Sequence, residues 1–180
     1  MKVSFGSWAF SYGPYSRNPI PLENVARKLA EVGYDGIEIF TMVNPVVESN
    51  HNRYLELFRH NLDICLDLGS PTIRVDSIAA PGSIPDSEYQ DALQRLAALW
   101  RDAAEIAAGA KIRIVWEFEP GFAFNKPSEV VEIYERVGHP NFQILFDTGH
   151  AYLCSVVGAR QHGEIESLDG GVEEFLQKLS

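Results

Sequence analysis

Charged side chains recur near the carboxyl ends of apolar runs that have the length of β-strands. Six of them close four such runs: Glu38, Arg74, Asp76, Glu117, Glu119 and Asp147. Carboxylates gathered at one edge of a sheet would each cost several kcal/mol or take up protons unless a cation neutralises them. Because carboxylate oxygens suit Mg²⁺ or Mn²⁺, the pattern predicts a divalent-metal site. In the alternative interpretation, Arg74 pairs locally with Glu38 or Asp76 and only stabilises the edge.

The elements that must position these groups alternate along the chain. We predict strands at 3–8, 36–40, 72–76, 112–119 and 142–147, and helices at 22–33, 52–68, 87–108, 127–137 and 172–179. Such alternation indicates βαβ units and a parallel sheet, either doubly wound or a (β/α)₈ barrel. The first βα turn, SWAFS at 7–11, lacks a glycine fingerprint, so no dinucleotide site is expected there.

The fourth predicted strand shows the clearest division between an apolar and a charged face. Ile114, Trp116 and Phe118 share one face, while Glu117 and Glu119 share the other, because side chains alternate with period two. In a barrel, the second face points into the lumen and the strand carboxyl ends form the rim where barrel enzymes place their sites. Four runs with the same polarity favour a site over isolated ion pairs.

Composition limits the classes of function. The 180 residues carry a formal charge of −10, and we expect one domain over 1–180. The negative charge disfavours binding to nucleic acid or to anionic membranes. Cys65 and Cys154 follow neither a zinc nor a redox spacing, so we expect buried free thiols. No apolar run reaches the length of a membrane span, the start does not read as a signal peptide, and a cytoplasmic protein is expected.

Two segments carry a resemblance that goes beyond pattern. Trp116–Gly121 reads WEFEPG, and Leu145–His150 reads LFDTGH one helix later. This ordered pair resembles the xylose-isomerase-like TIM-barrel superfamily, the sugar phosphate isomerase/epimerase group. Three earlier segments are also typical of it: FGSWAF at 5–10, GYDGIE at 33–38 and GSPTIR at 69–74. The resemblance implies an α/β fold of the (β/α)₈ TIM-barrel type.

The resemblance also implies roles for single residues. Glu117 corresponds to a carboxylate that binds the metal and moves a proton at the substrate carbon, and Asp147 corresponds to a second metal ligand. His150 corresponds to a histidine that hydrogen-bonds substrate oxygens. The remaining candidate substrate contacts are Arg74, Glu38, Glu119 and Trp8, of which Glu119 stands where relatives often have another polar residue. The implied cofactor is Mn²⁺ or Mg²⁺, with Co²⁺ or Zn²⁺ as alternatives.

The implied activity is isomerisation or epimerisation of a sugar or sugar phosphate. A divalent cation polarises the carbonyl and a carboxylate moves the neighbouring proton through an enediolate. The expected partner is a small sugar or polyol, and self-association into a homo-oligomer stays open. Alternatives are an inosose-dehydratase-like or hydroxypyruvate-isomerase-like enzyme on the same scaffold, or a catalytically inactive sugar-binding fragment. The apurinic-site endonuclease branch is disfavoured because it needs a basic DNA face and more metal-binding histidines.

A complete TIM barrel has eight strands, and we expect this chain to form only part of one. A helix and a strand are missing between the second predicted strand and the next helix, near 41–50, and strands seven and eight would follow Ser180. In the family that the chain resembles, those two strands supply a further His and a further Glu as metal ligands. We also predict a long functional loop over 151–170, whose Arg160 and His162 are candidates for contact with an anionic substrate.

Overall fold

The computed structural model describes residues 3–10, 13–38 and 43–180. The chain divides into two compact units, residues 1–42 and residues 43–180, and each unit is described by itself. The expectation of one domain over 1–180 stays a prediction. No helix in the described part of the chain is long and apolar enough to cross a membrane.

The first unit is a single parallel βαβ unit. Strand β1 (Ser4–Gly6) pairs with β2 (Gly36–Glu38), with Ser4 opposite Gly36, and helix α1 (Leu22–Glu31) connects them. The first strand is shorter than predicted, because residues 7–10 turn into a 3₁₀-helix that includes Trp8. The parallel crossover confirms the predicted alternation for this part of the chain.

The second unit repeats the alternation with longer helices. Its elements in chain order are α2 (His51–Leu68), β3 (Thr72–Val75), α3 (Asp86–Gly109), β4 (Arg113–Trp116), α4 (Pro127–Val137), β5 (Phe142–Ile144), α5 (Thr148–Tyr152) and α6 (Gly171–Lys178). The three strands form a parallel sheet in the order β3–β4–β5. Residues 43–50 hold turns and one 3₁₀ turn, so the described part of the 41–50 segment lacks the helix and strand of a full barrel.

The register of this sheet aligns the ends of its strands. Val75 of β3 lies opposite Trp116 of β4, and Trp116 lies opposite Ile144 of β5. The alignment continues beyond the strands, since the Glu117 N–H donates to the Val75 carbonyl at 3.4 Å and the Leu145 N–H donates to the Trp116 carbonyl at 2.8 Å. Side chains that follow these residues are therefore held at one edge of the sheet.

An apolar layer between the sheet and its helices fixes this edge in place. Ile114 and Trp116 are 0% and 1% exposed, and the Trp116 ring packs against Trp100 of α3 with ring centroids 5.0 Å apart. Trp100 also stacks on Phe142 of β5 at 5.8 Å. Burial of such large aromatic side chains is the dominant favourable term for folding.

Helix α4 begins and ends where its sequence indicates. Pro127 occupies the first turn, and the Glu129 carboxylate accepts a hydrogen bond from the Lys126 N–H at 3.1 Å. Gly138 ends the helix in the left-handed region with φ of 50°, where a Cβ would meet the Glu135 carbonyl oxygen at 3.0 Å. Only glycine takes this position without strain.

The prediction of a structureless loop over 151–170 is wrong in its first part. Helix α5 continues through Tyr152, and a π-helical turn follows over Leu153–Val157. Cys154 in this turn is buried as a free thiol, as is expected from its apolar surroundings. A five-residue helix and a π-turn have no strong periodic signal, which is why the sequence pattern does not indicate them.

The rest of this loop, residues 158–170, contacts the starts of helices α3 and α4. The Glu166 carboxylate accepts hydrogen bonds from the N–H of Ser128, at 2.9 Å, and from its hydroxyl. His162 stacks on Tyr89 with centroids 4.0 Å apart, and its Nε2 lies 2.8 Å from Oδ1 of Asp86. The contacts of His162 are thus with α3, and they give no support to the predicted contact with an anionic substrate.

Candidate metal and active site at the ends of β3 to β5

Five charged residues lie at the carboxyl edge of the three-stranded sheet, and we call them the charged rim. They are Arg74, Asp76, Glu117, Glu119 and Asp147. Asp76 and Glu117 follow directly after the last residues of β3 and β4, and both are buried. Buried carboxylates require a counter-charge or a proton, so their partners decide what this edge can do.

Arg74 binds three carboxylates of the charged rim at once. Its Nε donates to both oxygens of Asp76 at 3.0 and 3.2 Å. Its Nη2 donates to Oε1 of Glu119 at 2.5 Å, and its Nη1 pairs with Oε2 of Glu117. A planar guanidinium with five N–H donors is suited to this forked arrangement. The pairing of Arg74 with Asp76 that the alternative interpretation expected is thus present, together with two further carboxylates.

Glu117, one of the carboxylates that Arg74 binds, also belongs to a second group, with Asp147 and His150. Glu117, Asp147 and His150 each offer one ligand atom, and these three atoms lie within 4.8 Å of one another. Asp147 is the N-cap of α5, and its Oδ1 accepts a hydrogen bond from the His150 backbone N–H at 2.8 Å. Because a capping side chain reaches the third residue of its helix, the capping bond itself holds Asp147 beside His150.

The imidazole of His150 provides the test of whether a metal ion fits this group. Its Nδ1 is buried and has no hydrogen-bond partner among the described residues. The nearest carboxylate oxygen, Oε1 of Glu117, lies 3.6 Å away, which is too long for a hydrogen bond. Two donors bound to one ion at about 2.1 Å lie roughly 3.0 to 3.4 Å apart. The 3.6 Å separation is slightly longer than this range, so the fit rests on the buried unpaired nitrogen and on the chemistry of the donors: two carboxylates with one imidazole accept Mn²⁺, Co²⁺ or Zn²⁺.

The two carboxylates of this group are shifted in opposite directions. Burial raises the pKa of Glu117, and the positive charges of Arg74 and His150 offset this only in part. The pKa of Asp147 is lowered, chiefly because its carboxylate accepts the backbone N–H of His150. A carboxylate with a raised pKa is the stronger base, while one with a lowered pKa stays ionised. The environment thus suits Glu117 to proton transfer and Asp147 to holding a cation.

Five of the predicted site residues come together here. They are Arg74, Glu117, Glu119, Asp147 and His150. The side chains of Trp8 and Glu38 lie outside the described part of the structure. The sequence pattern placed Asp76 among the charged residues and, in the alternative interpretation, beside Arg74, but Asp76 was not predicted as a site residue. The signal was the alternation of Arg74 and Asp76, two residues apart on one strand face.

Comparison with known proteins identifies related folds. The profile of the family described as xylose isomerase-like TIM barrel matches residues 43–166. An L-ribulose 3-epimerase structure superposes with a TM-score of 0.58 at 18% identity, covering 83% of this chain and 62% of that one. A D-tagatose 3-epimerase-like protein gives 0.65 at 19% identity, covering 99% and 71%. A structure of IOLI protein with a bound zinc atom gives 0.59 at 18%, covering 83% and 64%.

These likenesses concern the fold. The chain spans 62%, 71% and 64% of the length of the three solved structures, and a search of curated proteins gives no match. The predicted fold class is confirmed: an α/β fold of the TIM-barrel type, of which the chain represents part. The family profile covers more than half of the chain, including the carboxyl ends of β3, β4 and β5 with their charged residues. The protein therefore belongs to the xylose isomerase-like TIM barrel family.

Proposed function

We propose that the protein is a divalent-metal-dependent isomerase or epimerase that moves a proton next to the carbonyl of a small sugar or sugar phosphate. The observation that carries the proposal is the group of Glu117, Asp147 and His150, whose ligand atoms lie within 4.8 Å of one another. The names of two of the solved relatives, which are an epimerase and an epimerase-like protein, agree with this reaction class. Mn²⁺ or Mg²⁺ is the proposed cofactor, with Co²⁺ or Zn²⁺ as alternatives, and the zinc atom in the IOLI structure agrees with a divalent ion.

Glu117 is the proposed proton-transfer group. When a divalent cation is bound, it supplies polarisation of the substrate carbonyl, which acidifies the neighbouring C–H. Oε2 of Glu117 is held by Arg74, so Oε1 is the oxygen that faces His150 and is oriented to take the proton. Burial raises the pKa of Glu117, which makes its carboxylate a stronger base than an exposed glutamate.

Asp147 and His150 are the proposed holding groups. The capping bond from the His150 N–H fixes the Asp147 carboxylate and lowers its pKa, so this group stays ionised while Glu117 gains and loses a proton. The Nδ1 of His150 is buried, has no hydrogen-bond partner among the described residues and lies 3.6 Å from Oε1 of Glu117, so it is positioned to bind the cation or a substrate hydroxyl. Contacts of Glu119, Glu38 and Trp8 with the substrate stay predictions.

The test is exchange of the proton next to the carbonyl with solvent. The chain is incubated in D₂O with Mn²⁺ and a panel of ketopentoses, ketohexoses and their phosphates, and products are analysed by NMR and mass spectrometry. We expect one deuterium at the carbon next to the carbonyl and an isomeric product. Loss of water from the substrate would instead identify a dehydratase on the same residues.

Two variants make the assay specific. Glu117→Gln keeps the size of the side chain but removes the base, and we expect exchange to be abolished. The matched control is Glu105→Gln on α3, whose side chain is 80% exposed, and exchange should be retained. Unchanged exchange in Glu117→Gln, or no exchange with any ketose when Mn²⁺ is bound, would contradict the proposal.

A further inference from the structure

The three donor positions of Arg74 each meet a different carboxylate. Nε binds Asp76, Nη1 binds Glu117, and Nη2 binds Glu119, while the Arg74 side chain itself is only 22% exposed. Among the described residues, the guanidinium therefore contacts three acidic side chains, which we call the acidic ring: Asp76, Glu117 and Glu119. Several carboxylates around one centre are also the ligand set that hard divalent cations prefer.

Glu117 belongs to both groups and links them. Its Oε2 pairs with Arg74, and its Oε1 lies 3.6 Å from the unpaired Nδ1 of His150. One carboxylate thus contacts the guanidinium through one oxygen, and its other oxygen would face a divalent ion held together with Asp147 and His150. Two-metal sites of enzymes likewise hold two cations close together, about 3.5 to 4 Å apart, on either side of the reacting oxygens.

We propose that Arg74 occupies the position of a second cation in the charged rim and thereby limits the rim to one divalent ion, held by Glu117, Asp147 and His150. This inference rests on the metal site of the proposed function. Arg74 is on this account a positioning residue: it fixes Oε2 of Glu117 and leaves Oε1 for the ion and the substrate. A guanidinium is suited to this role because it keeps its proton at every working pH and cannot dissociate from the chain.

The burial of the acidic ring gives the physical reason. Asp76 and Glu117 are buried, and ionised carboxylates there need a permanent counter-charge. With Arg74 replaced by a small neutral residue, Asp76, Glu117 and Glu119 lose the cation that they share. Their oxygens then offer ligands at one place to a cation from solution, and at millimolar Mn²⁺ we expect an ion to bind there.

The experiment counts bound Mn²⁺ per chain by isothermal calorimetry and by electron paramagnetic resonance of the free ion. The 180-residue chain should bind one ion, and Arg74→Ala should bind two. Arg74→Lys keeps the positive charge and should bind one. The matched control is Arg95→Ala on α3, whose side chain is 33% exposed and lies outside the charged rim, and it should also bind one.

A double variant locates the additional ion. Arg74→Ala with Asp76→Asn removes one carboxylate of the acidic ring, and the affinity for the second ion should fall at least tenfold. Thermal unfolding with and without Mn²⁺ covers the case in which Arg74→Ala folds poorly. The proposal then requires that Mn²⁺ restore cooperative unfolding, because an ion takes the place of the guanidinium.

Each result decides the question. One ion or none in Arg74→Ala, failure of Mn²⁺ to restore its folding, or two ions in the unsubstituted chain would overturn the inference. None of these readouts depends on turnover. If Mn²⁺ counts follow the expectation while no ketose exchanges its proton, the proposed function fails and the role of Arg74 stands. If exchange occurs while Arg74→Ala binds a single ion, only the role of Arg74 fails.

Discussion

Strand β4 and the residue that follows it, Glu117, have two faces with very different surroundings, although neighbouring residues alternate between these faces. On one face, Ile114 and Trp116 are 0% and 1% exposed, and the Trp116 ring packs on Trp100 of α3. On the other face, the Glu117 carboxylate is also buried, but its surroundings are charged: Arg74 on one side and the Asp147–His150 pair on the other. One face is packed in apolar contacts, and the other depends on cations.

The difference separates the origin of stability from the origin of function. Apolar side chains need no partner of a particular type, so their burial contributes directly to the free energy of folding. A buried carboxylate next to a guanidinium contributes little net stability, because the loss of hydration offsets the attraction. Such groups are expected at functional sites, where the arrangement is retained for its chemistry.

Removal of the aromatic layer should produce the largest effect on stability. Trp100→Ala deletes a side chain that is 0% exposed and packs on Trp116 and Phe142. We expect the free energy of unfolding to fall by about 3 to 5 kcal/mol in urea titrations. Leu68→Ala, at a position 64% exposed, is the control and should change it by less than about 0.5 kcal/mol. Equal effects at the two positions would remove the contrast between the faces.

Loss of the guanidinium should destabilise less, and in a way that ions reverse. Arg74→Ala leaves three carboxylates without their shared cation, and we expect a loss of roughly 2 kcal/mol, reduced from that of a fully buried pair because the side chain is 22% exposed. Thermal unfolding in the presence of Mn²⁺ should recover part of this loss. Mn²⁺ should give Trp100→Ala no greater gain than the unsubstituted chain. Equal extra gains in both variants would contradict the distinction.

Neutralisation of Glu117 should affect ion binding far more than folding. Glu117→Gln preserves volume and relieves the burial of a charge, so the free energy of unfolding should change little. The affinity for Mn²⁺, measured by calorimetry, should fall at least tenfold because one of three ligands is lost. Glu105→Gln is the control with unchanged affinity. A Glu117→Gln chain that binds Mn²⁺ as before would exclude Glu117 as a ligand.

The smallest effect concerns a buried carboxylate on the helical side of the sheet. Burial raises the pKa of Glu129 on α4 above its usual 4.5, although the Lys126 N–H offsets part of the shift. A carboxyl group whose pKa is raised in the folded state contributes to stability while it is protonated. This contribution is fully present below the unfolded-state pKa and is lost as pH rises through the folded-state pKa. As pH rises from the usual value of 4.5 through the raised folded-state pKa, Glu129→Gln should therefore gain stability relative to the unsubstituted chain. A difference that stays constant in urea titrations across this range would contradict the shift.

The sequence pattern predicted the strand faces well because they follow from local geometry. Period-two alternation alone separated Trp116 from Glu117, and the apolar runs located β3, β4 and β5 to within a few residues. These strand features need no knowledge of distant contacts. Only the resemblance assigned roles to Asp147 and His150, because the N-cap that holds them close together belongs to α5, which the pattern did not indicate.

Features that depend on contacts between distant parts of the chain could not be predicted from the sequence pattern. The arginine side chain is long, and which carboxylates Arg74 reaches depends on the register of β3 against β4, which places Arg74 opposite Val115. The sequence therefore offered Glu38 or Asp76 as partners but did not indicate Glu117 and Glu119. The short helix α5 and the π-turn after it were missed because neither is long enough to show a periodic pattern.

The central claim is that Glu117, Asp147 and His150 share one divalent ion. Crystals of the 180-residue chain grown with Mn²⁺ and measured at an X-ray wavelength with strong manganese anomalous scattering test it most directly. The account predicts one anomalous peak about 2.0 to 2.3 Å from an oxygen of Glu117, an oxygen of Asp147 and a nitrogen of His150. A peak bound by other residues, or well-ordered carboxylates at millimolar Mn²⁺ with no peak between them, would contradict it.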